Sequence, residues 1–339
     1  MKNGEATVER THSHLPDHDE RERDYCLSNI RKRCEDESQM RFKVRQIFDE
    51  EKIKLHRSND RAAALLVFDQ LDASIYRRRE SLFPPLPHTV DEFLDMIAKR
   101  QEDKRVDRLL KTADGREMFH SFETLGNGSA FILFGSKEDF TTLSQAKRIF
   151  LDGTFTVQPA MFKQLFTVHA NYEGDKSMPC AFFLLTSKCR QLYRKVLNTL
   201  KSIFTTLNSN FDSKDLEVTL DFETGLLPEI REVFEGSKII GCLFHFSQSI
   251  FRWLNTHGYM ASATSKEASL IARKFSALAF LPVDQIRSKA EGMIASLPVN
   301  YVSFGPYFYE QWLQVVPPEN WCVYRQATRI TNQVRVKKI

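Results

Sequence analysis

Two aspartates interrupt apolar strand patterns, one in the middle and one at the end, where their side chains could do phosphoryl-transfer chemistry. Asp152 lies within Arg148-Ile-Phe-Leu-Asp-Gly-Thr-Phe-Thr-Val157, and Asp221 closes Leu216-Glu-Val-Thr-Leu-Asp221. Aspartate is depleted in strands, so each position needs a reason. For Asp152 one reason is local, because Asp-Gly between hydrophobic runs is a strong hairpin signal. The other reason is chemical. Neighbouring strands lie about 4.8 Å apart, so an Asp on each brings two carboxylates to one sheet edge. Such a pair repels, and each member raises the other's pKa unless a cation sits between them. Mg²⁺ suits that place, being a hard ion that prefers oxygen ligands. A pair of such ions can activate a water or a 3′-hydroxyl and stabilise the leaving oxygen of a phosphodiester. On this stretch alone both readings stay open.

Other residue types invite the same weighing. Glu223 could lend a third carboxylate, or be an acidic charge at a helix start, favoured by the macrodipole. Cys242 and His245 could ligate zinc. Residues three apart on a strand point to opposite faces, however, which favours a structural or DNA-positioning histidine. Gln248 and Arg252 fall one helical turn apart, facing either a phosphate or solvent. Glu310 and Glu319 are further acids that could substitute in a metal site.

The elements that must position these residues can be read from periodicity. Residues 1–40 are polar, carry charges of both signs and read as a flexible arm. Residues 41–125 read as a helical region, with Val44, Ile47 and Phe48, then Ala64, Leu65, Phe68, Leu71 and Ile75 at three-to-four spacing. Pro84-Pro-Leu-Pro87 breaks that pattern, and Thr89-Val-Asp-Glu92 is a capping box opening another helix. Over 126–260 the period shortens. Ala130–Phe134 is an apolar run, and strands are expected at Ile149–Val157, Gln164–His169 and Ala181–Leu185. A helix with Leu192, Val196, Leu200, Ile203, Phe204 and Leu207 on one face follows. Then come a strand at Leu216–Asp221, a helix at Leu226–Phe234, a strand at Lys238–Phe244 and a helix from Ser249. The order βββαβαβα is that of an α/β fold with a mixed sheet, and it matches a ribonuclease H-like core. Residues 261–320 read as an all-α insertion, and 321–339 as a C-terminal segment.

Bulk composition sets wide bounds. The chain has 339 residues, 42% of them apolar and 27% charged, with 27 Phe, which excludes a disordered chain and predicts a sizeable core. A net charge of +4 permits a nucleic-acid partner without arguing for one. Six Cys form no dense disulfide framework, so a reducing compartment is expected. No apolar run is long enough to cross a bilayer, and no signal-peptide core is read at the start.

Four blocks together carry a family resemblance. Leu151-Asp-Gly-Thr-Phe-Thr-Val-Gln-Pro-Ala-Met-Phe-Lys-Gln-Leu-Phe-Thr-Val-His-Ala170, Met178-Pro-Cys-Ala-Phe-Phe-Leu-Leu-Thr-Ser-Lys-Cys-Arg-Gln-Leu-Tyr193, Leu220-Asp-Phe-Glu-Thr-Gly-Leu226 and Ile239–Arg252 resemble the MULE (Mutator-like element) transposase domain. The resemblance runs from about Ala130 to the C-terminus. It implies a ribonuclease H-like fold with an Asp-Asp-Glu metal triad acting in DNA transposition, with Mg²⁺ or Mn²⁺ as cofactor. Asp152 matches the first acid and Asp221 the second, while Cys242 and His245 match the family's Cys-x-x-His signature. Terminal-repeat DNA is the implied partner, a homo-oligomer a further one, and the nucleus the implied compartment.

Two departures temper what the resemblance implies. Trp321, Arg329 and Thr331-Asn-Gln333 fit the block before the third acid, but Val334-Arg-Val-Lys-Lys-Ile339 carries no acid near Val336. The expectation is a chain truncated and catalytically defective, or a non-catalytic DNA-binding protein of transposase descent. At the other end Thr11-His-Ser-His14-Leu-Pro-Asp17 resembles the tail of a FLYWCH-type zinc finger. No Cys precedes it, the first being Cys26, so His12 and His14 read as a remnant and zinc is not expected.

Overall fold

The computed structural model describes residues 17–326 apart from 41, 72, 155–157, 173–175, 224 and 262–264. His12, His14, Arg329, Thr331–Gln333 and the basic stretch after them lie outside the described residues. The chain divides into two compact units, Met1–Leu109 and Leu110–Ile339.

The first unit is helical: α1 (His18–Glu35), α2 (Val44–Ser58), α3 (Asp60–Leu65), α4 (Ala73–Glu80), α5 (Val90–Ala98) and α6 (Lys104–Leu109). The expected flexible arm over 1–40 is corrected for its second half. Asp17 caps α1 by accepting from the amides of Asp19 and Glu20, and Cys26, Ile30 and Cys34 recur every four residues on one buried face. That face shares an apolar cluster with Ile47, Phe48 and Leu55 of α2. Arg33 locks the pair by donating to Glu50 (2.7 Å) and Glu51 (2.8 Å). The charges that suggested an arm are the solvent face of a packed helix. At α5 the Thr89 hydroxyl accepts from the Glu92 amide as expected, while Glu92 reaches back to the amide of His88 rather than that of Thr89.

The second unit holds β1 (Phe119–Thr124), β2 (Ala130–Phe134), α7 (Lys137–Gln145), β3 (Arg148–Thr154), β4 (Gln164–Tyr172), β5 (Lys176–Leu185) and α8 (Arg190–Leu207). It continues with β6 (Glu217–Leu220), α9 (Leu227–Val233), β7 (Lys238–Gly241), α10 (Leu243–Thr256), α11 (Ser265–Ala277), α12 (Val283–Ala295) and α13 (Phe304–Tyr309). The seven strands form one mixed sheet in the order β1-β2-β5-β4-β3-β6-β7. β3, β4 and β5 are an antiparallel meander, and β6 and β7 run parallel to β3. From β3 to α10 the elements follow the expected sequence of strands and helices. The helical expectation for 41–125 overran, because β1 is an edge strand of this sheet and the unit boundary falls at Leu109.

α8 buries Leu192, Val196, Leu200 and Phe204 of the expected face, with Tyr193 and Leu197 beside them, while Ile203 and Leu207 are only partly buried. These side chains share the main core with Ile149 and Leu151 of β3 and Val218 and Leu220 of β6. Strand side chains alternate, so Phe150, Asp152 and Thr219 take the other face, and Asp221 continues the second series. The helices after α10 close on an aromatic cluster. Trp321 is fully buried, stacks on Phe246 at 4.4 Å and donates its indole N–H to the carbonyls of Trp312 (2.9 Å) and Val316 (3.0 Å).

Candidate functional site

The Asp-Gly question is answered by the register. Asp152 is not in a hairpin turn; it is a strand residue of β3, opposite Thr167 of β4. Its backbone carbonyl accepts from the Thr167 hydroxyl at 3.3 Å. On the other side of β3, Leu151 pairs with Leu220 of β6. One step further along these parallel strands come Asp152 and Asp221. Alternation puts both on one face, at the carboxyl ends of the strands, where open α/β sheets hold ligands. β6 ends between β3 and β7, and the Cys242 amide donates to the Leu220 carbonyl at 2.9 Å. Cys242 and His245 therefore start beside Asp221.

Their setting corrects the strand expected over Lys238–Phe244. β7 stops at Gly241, Cys242 is the N-cap residue of α10, and His245 lies in the first turn. The argument that Cys242 and His245 point to opposite faces therefore fails, because residues three apart on a helix are neighbours. Cys242 is fully buried. Among the described residues no group of three or more His, Cys, Asp or Glu is arranged to hold a metal ion.

Gly153, Lys188, Asp221, Phe222, Glu223, His245, Gln248, Ser249 and Arg252 line a cleft of about 440 Å³. Asp221 is half-buried in this cleft. Burial, then the charges of Glu223 and Asp152, push its carboxyl up to about 7, against the opposing pull of His245. Burial draws the His245 imidazole down, but its hydrogen bond with Cys242 and the nearby Asp221 and Asp152 raise it overall. The attraction between this imidazole and the acids beside it opposes the mutual repulsion of the carboxylates.

Glu223 is held in place rather than displayed at a helix start. Tyr193 of α8 donates to Gln164 Oε1 at 2.7 Å, and Gln164 Nε2 donates to Glu223 Oε2 at 3.2 Å. Both Tyr193 and Gln164 are fully buried. Lys188 Nζ lies 3.7 Å from Glu223 Oε1. Burial and then Glu223 raise the Tyr193 phenol, so it remains a donor. Reading the sequence missed Gln164, Tyr193 and Lys188. Each is an ordinary residue for its element, so no signal in the sequence marked them.

Gln248 and Arg252 do face the cleft, Arg252 Nη2 donating to Gln248 Oε1 at 3.2 Å. Glu310 and Glu319 are exposed and line no part of it. No curated protein and no solved structure matches the chain. The MULE transposase domain matches residues 148–249, a span that opens on β3, closes inside α10 and contains Asp152, Asp221, Cys242 and His245, and so points to a transposase-derived protein.

Proposed function

We propose that this chain is a Mutator-like transposase descendant with a ribonuclease H-like core that acts on DNA in the nucleus, Asp152 and Asp221 being its cation-holding carboxylates. One observation carries the reading. Within the span that matches the transposase domain, Leu151 pairs with Leu220, a register that supports a pairing of the aspartates one residue further on. The donor set fits a hard divalent cation. Asp221 is crowded by carboxylates and held partly neutral, a cost that a cation on the pair would remove. Mg²⁺ needs few protein ligands and keeps several waters, so two carboxylates suffice for one ion. When bound, such an ion supplies activation of a water or 3′-hydroxyl and charge neutralisation at the phosphate.

The chain's own residues do the rest. Asp152 and Asp221 supply the negative charge. His245, raised by its acidic neighbours, keeps that charge from spreading the strand ends. The Tyr193–Gln164 relay holds Glu223 to one side. For catalysis a third acid would have to join the pair; Glu310 and Glu319 stand outside the cleft, and Glu223, which lines it, is engaged by Gln164 and Lys188. The reading is therefore DNA binding with a single weak cation site and no strand transfer.

The test is Mn²⁺ titration followed by electron paramagnetic resonance, beside a cleavage and joining assay on terminal-repeat DNA. Mn²⁺ should bind the wild-type chain and be lost from Asp152→Asn and from Asp221→Asn, with no cleavage by any of the three. Mn²⁺ binding that ignores both substitutions sinks the site. Metal-dependent cleavage abolished by Asp152→Ala sinks the claim of lost catalysis.

A further inference from the structure

We propose that Lys188 and Arg252, cations from two different elements that line one cleft with Asp221, form a two-point clamp for backbone phosphates of DNA. The inference rests on the DNA reading above and adds the residues that grip the backbone. Lys188 lies in the β5–α8 connection and Arg252 two turns into α10, so the two cations reach the cleft from different elements. Both are exposed, so neither is consumed as a core contact. Each is oriented by a neighbour within the cleft: Lys188 lies 3.7 Å from the Glu223 carboxylate, and Arg252 donates to Gln248 at 3.2 Å.

The distribution of charge argues for an anion that crosses the cleft rather than one that fills it. A small free anion in the cleft would meet Asp221 and Glu223 and be repelled. A polyanion with spaced charges can rest a phosphate on each cation and span the acids. That arrangement also sets one phosphodiester above the Asp152–Asp221 pair. Glu223 then has a defined part: fixed by buried Gln164, it holds Lys188 in place and limits its approach to the Asp221 side. Lys188 and Arg252 are positioning residues in this scheme, acting on the backbone and indifferent to base sequence.

The test uses the full chain and a fluorescein-labelled duplex DNA of mixed sequence, with anisotropy read across salt from about 50 to about 200 mM. Each neutralised phosphate contributes about 0.9 to the slope of log affinity against log salt. Lys188→Gln and Arg252→Gln should each lower the slope by about that amount, and the double variant by about twice as much, with unchanged melting temperatures. Lys238→Gln removes the same charge at the opposite end of the parallel strands and should leave the slope alone. Unchanged slopes in the cleft variants, an equal loss in Lys238→Gln, or no DNA binding by the wild-type chain would each overturn the clamp. Failure of the carboxylate site reads differently: Mn²⁺ binding would ignore Asp152→Asn while the salt slopes still shifted.

Discussion

Gly241 ends β7 one residue before Cys242, and replacing it with alanine tests how the aromatic core holds the site. A Cβ there would stand 2.6 Å from the Asn320 carbonyl oxygen and nearer still to the edge of the Phe222 ring. Ordinary van der Waals contact begins at 3.4 Å, so the ring has to retreat by about 1 Å. It has little room. Phe222 packs edge-on against Trp312 at 4.9 Å, and Trp312 in turn meets Phe246 at 4.8 Å. The Asn320 carbonyl is backbone and cannot swing aside. Overpacking a filled core costs about 1–3 kcal/mol, and a clash with an immovable backbone carbonyl as well as with the ring puts Gly241→Ala near about 3 kcal/mol. For a unit the size of Leu110–Ile339 that is a fall of about 6–12 °C in melting temperature. Phe222 also lies between Asp221 and Glu223, so Mn²⁺ binding well below the melting point should weaken too. Calorimetry and a metal titration on one preparation decide it. An alanine variant that melts within about 2 °C of wild type would show that the ring moves freely and that the aromatic packing does not position Asp221.

Further outcomes follow from groups that titrate out of range. His169 is buried opposite Phe150 and held down to about 4 by burial. Its stabilising neutral form is complete above the ordinary histidine value and is lost as pH falls toward 4. The loss should reach about 3 kcal/mol, and His169→Leu should flatten that acid limb in urea titrations. Asp221 is shifted the other way, so with chelator present its contribution is complete below the ordinary carboxylate value and is lost as pH climbs through about 7. Asp221→Asn should therefore melt above wild type at alkaline pH, the gap closing in mild acid; a gap that does not change with pH would refute the crowding. Glu229 is 1% exposed and accepts from Arg190 (2.8 Å) and Arg194 (2.6 Å), both well solvated. Glu229→Gln should cost about 1–3 kcal/mol and Arg190→Gln under about 1 kcal/mol, and equal losses in chemical denaturation would contradict that order.

The sheet was legible where one period ran long enough to count. The apolar stripe of α8 repeats over several turns, and the strands around Ile149, Gln164 and Leu216 are short apolar runs, so their order emerged from pattern alone. The misreadings cluster where burial overrides composition. Residues His18–Glu35 are so charged that three buried positions, Cys26, Ile30 and Cys34, were too sparse to outweigh them. β1 escaped because Phe119-His-Ser-Phe-Glu-Thr124 has no residue that is fully buried. It is an edge strand, and an edge needs less apolar surface. The strand through Phe244 failed at Cys242, where an apolar run continued across the change from period 2 to period 3.6.

The same change of period explains the site. A strand that ends at Gly241 and a helix that starts at Leu243 leave one residue, Cys242, to make the turn. That turn swings His245 toward Asp221, and one and two helical turns later it aims Ser249 and Arg252 at the cleft rim. Had the strand run to Phe244, His245 would have left the sheet edge and Arg252 would have been carried out of reach. The carboxylates could be found from their own strands because each is an exception within its pattern. Their partners could not, because Gln164, Tyr193 and Lys188 are ordinary residues for their elements and gain meaning only from the 2.7 Å, 3.2 Å and 3.7 Å separations that link them to Glu223. Chemistry-bearing residues that break a local rule show in sequence; those that obey it and still serve the site need coordinates.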